Sequence, residues 1–145
     1  MIGLLQRVRF ARVEVDNQVI ADIQQGLLVF LGFEKDDDES KARRMLERLL
    51  GYRVFSDEQG KMNLSVKDIE GGLLLVPQFT LAADTRKGAR PSFSSAAAPE
   101  AGLALFDYIV REAQLMHDIV AAGEFGADMQ ISLQNDGPVT FSLKV

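Results

Sequence analysis

The chain has no cysteine, no tryptophan and one histidine, and each shortage removes a class of chemistry. Without cysteine there is no disulfide framework, no thiol nucleophile and no thiolate metal site, which fits a reducing cytoplasm. The lone His117 ends a helical pattern and has no Ser or Cys partner in an elbow sequence, so a helix-terminal charge or a packed ring accounts for it and no Ser-His-Asp triad is expected. Carboxylates are scattered over polar faces, with neither a His cluster nor the paired Asp/Glu spacing that specifies a metal. Gly71-Gly72 stands alone and lacks the Lys-Ser/Thr of a phosphate loop. No run approaches the roughly 20 apolar residues needed to span a bilayer, and Met1-Ile2-Gly3-Leu4-Leu5 is broken by Gln6 and Arg7 before it becomes a secretion signal. The expectation is a soluble cytoplasmic protein, away from membranes and without metal or organic cofactor. An enzyme with this inventory must work through backbone amides, neutral polar side chains and its substrate's own groups.

What is present suits one compact unit. A length of 145 residues with 47% hydrophobic content supports a single core, so one domain over residues 1–145 is expected. A formal charge of −5 argues against a protein that grips nucleic acid over a broad basic face, because phosphate neutralisation supplies most non-specific affinity. Any RNA contact should be local. The one basic cluster is Thr85-Arg86-Lys87-Gly88-Ala89-Arg90, which composition alone reads as a solvated loop.

The hydrophobic pattern is that of an α+β fold. Residues Ile2 to Val15 alternate, Val19 to Ile23 can pair back after Asp16-Asn17-Gln18, and Leu27 to Phe33 is short and apolar enough for a buried strand. Ser40 to Gly51 places Ala42, Met45, Leu46, Leu49 and Leu50 on one helical face, and Gly51 ends the pattern. Leu73 to Val76 is a second buried strand running into Pro77-Gln78-Phe79-Thr80-Leu81. A helix from Pro99 to Met116 is expected to turn Leu103, Leu105, Phe106, Ile109, Val110 and Ala113 inward. Met129 to Leu133 and Val139 to Val145 alternate and predict a closing hairpin around Asn135-Asp136-Gly137-Pro138.

Two short segments carry chemistry. Gln78 offers a donor and an acceptor, Thr80 a hydroxyl, and the N–H groups of Phe79 and Thr80 could line an oxyanion site. Read alone, the segment is better explained by a strand end with Phe79 in the core and Thr80 bonding its own backbone. In Asn135-Asp136-Gly137-Pro138 the Gly-Pro bond belongs to the only class of peptide bond with an appreciable cis population, although a plain turn also fits.

Pro77-Gln78-Phe79-Thr80-Leu81 and Asn135-Asp136-Gly137-Pro138-Val139-Thr140 together resemble the D-aminoacyl-tRNA deacylase family, whose patterns are Ser-Gln-Phe-Thr-Leu and Asn-x-Gly-Pro-x-Thr. Residues Tyr52 to Ser65, Arg90-Pro91-Ser92-Phe93 and Phe125-Gly126-Ala127-Asp128-Met129 extend the likeness over nearly the whole chain. The resemblance implies a barrel-like, three-layer α/β/β domain of mostly antiparallel curved sheets with helices on one side, acting as a homodimer. It implies hydrolysis of the ester in D-aminoacyl-tRNA, and in glycyl-tRNA mischarged on tRNA(Ala), to free amino acid and tRNA. Gln78, Phe79 and Thr80 would be catalytic. Gly137 and Pro138, entering the partner's site with their peptide bond cis, would reject L-amino acids. Arg7 and Asn135 would support that element, and Phe125, Gly126, Ala127 and Met129, with Arg86 and Lys87, would meet the terminal adenosine and tRNA.

Position 77 departs from the family pattern: proline has no hydroxyl, so a serine nucleophile there is excluded. Thr80 as a covalent nucleophile needs a nearby base, and none appears in the local sequence. Assistance by the ribose 2′-hydroxyl of the terminal adenosine is the favoured alternative. Two other readings stay open: a nucleic-acid-binding module using Arg86, Lys87 and Arg90 without deacylase activity, and a generic esterase or peptidase.

Overall fold

The computed structural model describes Met1–Val145 and organises it around one long strand. Strand β1 (Ile2–Val15) pairs antiparallel along one edge with β8 (Gln130–Lys144), and along its other edge first with β3 (Gly26–Gly32) and then with β2 (Gln18–Ile23). Strand β6 (Gly72–Pro77) then joins β3, and β7 (Val120–Ala122) joins β6, both in parallel. The sheet is mostly antiparallel, as expected, and the β3–β6 and β6–β7 pairings are its parallel exceptions. Helix α1 (Glu39–Gly51) and the small hairpin of β4 (Phe55–Ser56) and β5 (Met62–Leu64) intervene between β3 and β6, and α2 (Pro99–Met116) between β6 and β7. Crossovers of that length return the chain in the same direction.

The parallel strands explain the unbroken apolar runs. Leu27, Val29 and Leu31 of β3, with Leu73 and Leu75 of β6, face a core shared with Met45, Leu46 and Leu49 of α1 and with Phe106 and Ile109 of α2. Leu28, Leu74 and Val76 face the other way, into a second core with Val8, Ala11, Val13, Ala21 and Ile23. Strands buried on both sides read as continuous hydrophobic sequence. The sheet curls around the second core into a nearly closed barrel, with both helices packed over the first.

Both helices fall where the periodicity puts them. Asp38 caps α1 by accepting the Lys41 N–H at 2.9 Å, a contact of the kind that stabilises a helix by about 1 kcal/mol. Pro99 opens α2, where its missing N–H costs nothing. Leu103 is the exception, 42% exposed rather than inward, because Gly102 takes the buried place beside it.

The closing hairpin is not formed. Met129–Leu133 and Val139–Val145 belong to one direction of chain, both pairing antiparallel with β1 through a single 15-residue strand. Gln6 pairs with Thr140 and Val8 with Asn135, so Asp136, Gly137, Pro138 and Val139 stand opposite Arg7 alone. Instead of the expected turn, residues 136–139 form a wide bulge in a continuous strand.

The tightest point in the sheet is where β3 and β6 begin side by side. A Cβ on Gly26 would lie 1.9 Å from the Gly72 carbonyl oxygen, whereas Gly51 has open space around it. Gly26→Ala is therefore expected to lower unfolding free energy by more than about 3 kcal/mol. Gly51→Ala should shift it by less than about 1 kcal/mol. Urea denaturation of the two variants checks the contrast, and equal effects would contradict it.

Candidate functional site

The end of β6 places the first motif. The Gln78 N–H donates to the Leu31 carbonyl at 2.7 Å, and the chain then turns into a short 3-10 helix, Phe79–Ala82. Gly32 permits this turn, since a Cβ there would stand 2.8 Å from that of Leu81 and 3.2 Å from the Gln78 carbonyl oxygen. Gln78 Nε2 donates to Thr80 Oγ1 at 2.6 Å, which orients both groups and leaves the hydroxyl proton free to donate. No turn, loop or cap hydrogen bond uses the N–H of Phe79 or Thr80. Phe79 is not a core residue: it is 57% exposed and its ring packs at 5.0 Å, tilted, on Phe93. A strand end that merely seals the core would not look like this.

Beside the turn lies a cavity of about 270 Å³. Pro77, Gln78, Phe79, Phe125 and Gly126 line it together with Phe33, Ala97, Pro99 and Gly102, whereas Thr80 does not. Of the candidate adenosine residues, Phe125 and Gly126 therefore line it, whereas Ala127 and Met129 do not. Ala127 closes a turn onto Glu124, and Met129 packs its side chain against the barrel core, accepting a long contact from the Glu124 N–H at 3.4 Å. Gly102 was invisible as a site residue in the sequence. A Cβ on it would come within 3.2 Å of the Phe125 ring, so the absent side chain makes room for the ring.

The bulge of β8 is a second constellation. The Gly137–Pro138 peptide bond is cis, and both residues are exposed. Arg7, with only 13% of its side chain exposed, donates from Nε to the Asp136 carbonyl at 2.9 Å and from Nη1 to the Val54 carbonyl at 2.5 Å; the Asp136 carboxylate lies 3.4 Å from Nε. Gly137 has φ of +133°, and a Cβ on it would meet the Val139 N at 3.1 Å and Arg7 Nη2 at 3.2 Å. Asn135 is exposed and pairs with Val8 through its backbone. Gly137 and Pro138 do not line the cavity of their own chain.

The basic cluster forms a loop pinched at its base. Asp84 and Ser92 exchange backbone hydrogen bonds of 2.7 and 3.0 Å. Arg86 closes back on Asp84, Nε on Oδ1 at 2.9 Å and Nη2 on Oδ2 at 2.6 Å, and this hydrogen bonding holds the Asp84 carboxyl at about 2 rather than 3.8. Asp84 is thus ionised throughout the neutral range, and Arg86 is already matched by charge. Lys87 and Arg90 are exposed and in no ion pair. His117 ties the end of α2 to the start of β6 through a 2.6 Å hydrogen bond from Nε2 to the Gly71 carbonyl, the packed-ring role expected of it.

A family model described as D-Tyr-tRNA(Tyr) deacylase matches residues 4–144. Over all 145 residues, and over the full length of both relatives, the chain is 63% identical to the D-aminoacyl-tRNA deacylase of Pseudomonas putida strain F1 and 60% identical to that of Pseudoalteromonas translucida strain TAC 125. Among solved structures it is similar to the c-Myc DNA Unwinding Element Binding Protein, with a TM-score of 0.96 and 35% identity over 100% of this chain and 99% of that one. A probable eukaryotic D-amino acid tRNA deacylase shares the fold, with a TM-score of 0.83 and 19% identity over 98% of each chain.

Arg7 is the only tie from the bulge to the β4 side of the domain among these contacts. Arg7→Ala should cost about 2 kcal/mol of stability, as expected for losing charge-assisted hydrogen bonds to carbonyls in a mostly buried place. Arg7→Lys should recover less than half, since one ammonium cannot reproduce the planar fork. Chemical denaturation, with backbone amide exchange followed at residues 134 to 140, reads both effects. Unaltered exchange at the bulge in Arg7→Ala would show that the guanidinium does not hold it.

Proposed function

The chain belongs to the D-Tyr-tRNA(Tyr) deacylase family and is a hydrolase of D-aminoacyl-tRNA, and from that premise we propose how its site does the work. The observation that carries the reading is the cavity whose lining includes Gln78, Phe79, Phe125 and Gly126. A mostly apolar cavity with aromatic rings in its lining suits the planar base of the terminal adenosine. The ester on its ribose would then lie over Gln78 and Thr80. Water adds to the ester carbonyl, the bond to the ribose oxygen breaks, and the proton passes to that oxygen, giving free D-amino acid and tRNA. The unengaged N–H groups of Phe79 and Thr80 would receive the oxyanion, which forms only in the transition state.

No histidine or carboxylate is among the residues lining this cavity, so its wall offers no general base for the hydrolysis. The ribose 2′-hydroxyl supplies the missing proton relay. Gln78 and Thr80 position the ester and the water, and the protein's share is orientation and charge stabilisation.

Chirality is enforced by Gly137 and Pro138 of a second copy. A site that accepts many side chains cannot separate mirror images by gripping them; a wall beside the alpha carbon can, because every L side chain points into it. The exposure of the two residues, the Arg7 brace and their absence from their own chain's cavity support an arrangement in trans. So does the outer edge of β8, 15 residues long and unpaired, since exposed edges invite pairing. Glycine has no side chain to reject, so glycyl-tRNA mischarged on tRNA(Ala) would also be cleaved. No helix is long and apolar enough to cross a membrane, and the proposed place of action is the cytoplasm, with no cofactor.

The neighbour at 35% identity is named for binding DNA, which favours a second reading in which the scaffold holds nucleic acid without hydrolysing it. Turnover separates the two. Incubation with matched D-, L- and glycyl-tRNA should release D-amino acid and glycine and spare the L-ester; tight binding with no release would favour the second reading. Thr80→Ala should keep activity within about tenfold, while a 2′-deoxy terminal adenosine should lower the rate by at least about a hundredfold, the usual scale of proton-transfer assistance. An acyl group trapped on Thr80 would refute this mechanism.

Gly137→Ala tests the wall. The added methyl has no room against Arg7 and the Val139 amide and sits at a φ that alanine rarely adopts. The ratio of D- to L-aminoacyl-tRNA hydrolysis should fall by at least about tenfold, the change equivalent to 1.4 kcal/mol of discrimination. An unchanged ratio in this variant, or full enantioselectivity at dilutions where the protein is monomeric, would put the wall elsewhere.

A further inference from the structure

The rim of the cavity carries a group that the proposed hydrolysis does not use. Phe93 is 41% exposed, and its ring rests on Phe79, which lines the cavity, at 5.0 Å between centroids. The segment that supplies Phe93 is fixed at both ends. Asp84 and Ser92 pinch it just before the ring, and Ser95 Oγ donates to the Ala82 carbonyl at 2.5 Å just after it. Above the pinch stand the three cations of the basic loop. Only two have charge to spare, because both Asp84 oxygens are taken up by Arg86, whereas Lys87 and Arg90 have no acidic partner. A hollow lined by Asp84, Arg86, Lys87, Arg90 and Ser92 opens between them.

An exposed aromatic face with unpaired cations beside it is the pattern that holds single-stranded nucleic acid, the ring stacking a base and the cations following the phosphates. Apart from this loop the protein is acidic, so the arrangement is local rather than part of a basic face. A tRNA presents its terminal adenosine at the end of an unpaired 3′ strand. With that adenosine in the cavity, the preceding nucleotides must leave across its rim. We propose that Phe93, Lys87 and Arg90 form a second nucleotide subsite, which takes a base and the phosphates of the unpaired nucleotides immediately 5′ of the terminal adenosine. Arg86 is not a phosphate contact in this arrangement; paired with Asp84, it shapes the loop that presents the other two. The inference rests on the deacylase reading, and it makes the enzyme recognise an unpaired strand end rather than a duplex.

The test uses a labelled, deacylated single-stranded RNA of about five nucleotides ending in CCA, titrated by fluorescence anisotropy over a range of salt concentrations. Two phosphate contacts on a single strand predict a slope of log affinity against log salt of about −1.4, and Lys87→Ala and Arg90→Ala should each flatten it by about 0.7. Arg86→Ala should flatten it by less than half that. Phe93→Ala should weaken binding by roughly tenfold with the slope unchanged, and Phe93→Tyr should restore it. On D-tyrosyl-tRNA the Lys87 and Arg90 substitutions should raise KM several-fold more than they lower kcat. Wild-type slopes in the Lys87 and Arg90 variants, or duplex RNA bound as tightly as the single strand, would overturn the subsite. Failure of the deacylase reading looks different: the wild-type protein would release no D-amino acid at all.

Discussion

The pairing of β8 with β1 governs what the rest of the structure can do, because the two strands do not match in length. Four residues of β8 face one of β1, and a ladder with that mismatch must either break or find a substitute for its lost hydrogen bonds. Arg7, the residue left opposite, supplies the substitute with its side chain, taking the Asp136 carbonyl on one side and reaching the Val54 carbonyl on the other. The strand therefore continues through the irregularity instead of ending there, and Gly137 and Pro138 are presented from a sheet rather than from a free loop. A segment carried on a strand is positioned more precisely than one on a mobile connection. The same register shifts serve the core: one extra residue, Arg9, between Val8 and Phe10 keeps Val8 and Ala11 on one face, so both enter the barrel.

How far the sequence could be read follows from the range of the forces involved. Helices α1 and α2 were legible because 3.6-residue periodicity is local, and every inward residue expected of α1 is buried. The buried strands β3 and β6 were legible as apolar runs, but their parallel pairing was not, since direction depends on what lies between them. The hairpin expected around Asn135 failed for a related reason. Turn-forming residues mark a change in the backbone, and only a partner strand decides whether that change is a reversal or a bulge. Phe79 was ambiguous between core and surface, and its exposure comes from the 3-10 turn that Gly32 allows. Gly102 carried no signal, because a helical glycine shows its purpose only when the ring it makes room for is known.

Charge in this protein is arranged by cancellation as much as by placement. An overall excess of acid keeps the surface from holding polyanions indiscriminately. Within the one basic loop, Asp84 matches Arg86 and leaves Lys87 and Arg90 unmatched. Counting cations along the sequence would have given three equivalent contacts. Bidentate geometry removes one of them, and neither partner of that pair is buried enough for the ion pair to add much stability. Its effect is on shape: it fixes where the remaining two charges stand.

Position 77 shows what the fold requires at the mouth of the site. The pairing with β3 ends there: the Gln78 N–H makes its last bond, to the Leu31 carbonyl, and the chain then turns tightly enough to bring the Gln78 amide onto Thr80. Proline suits the last position of a strand that is about to turn, because its φ is already restricted and it makes no demand for an acceptor. It also adds ring atoms to the cavity wall, where a serine would add a hydroxyl. Chemistry that depended on a nucleophile at this position could not survive the change. The proposed chemistry of backbone amides, an oriented Gln78–Thr80 pair and the substrate's own hydroxyl makes no use of a side chain at position 77.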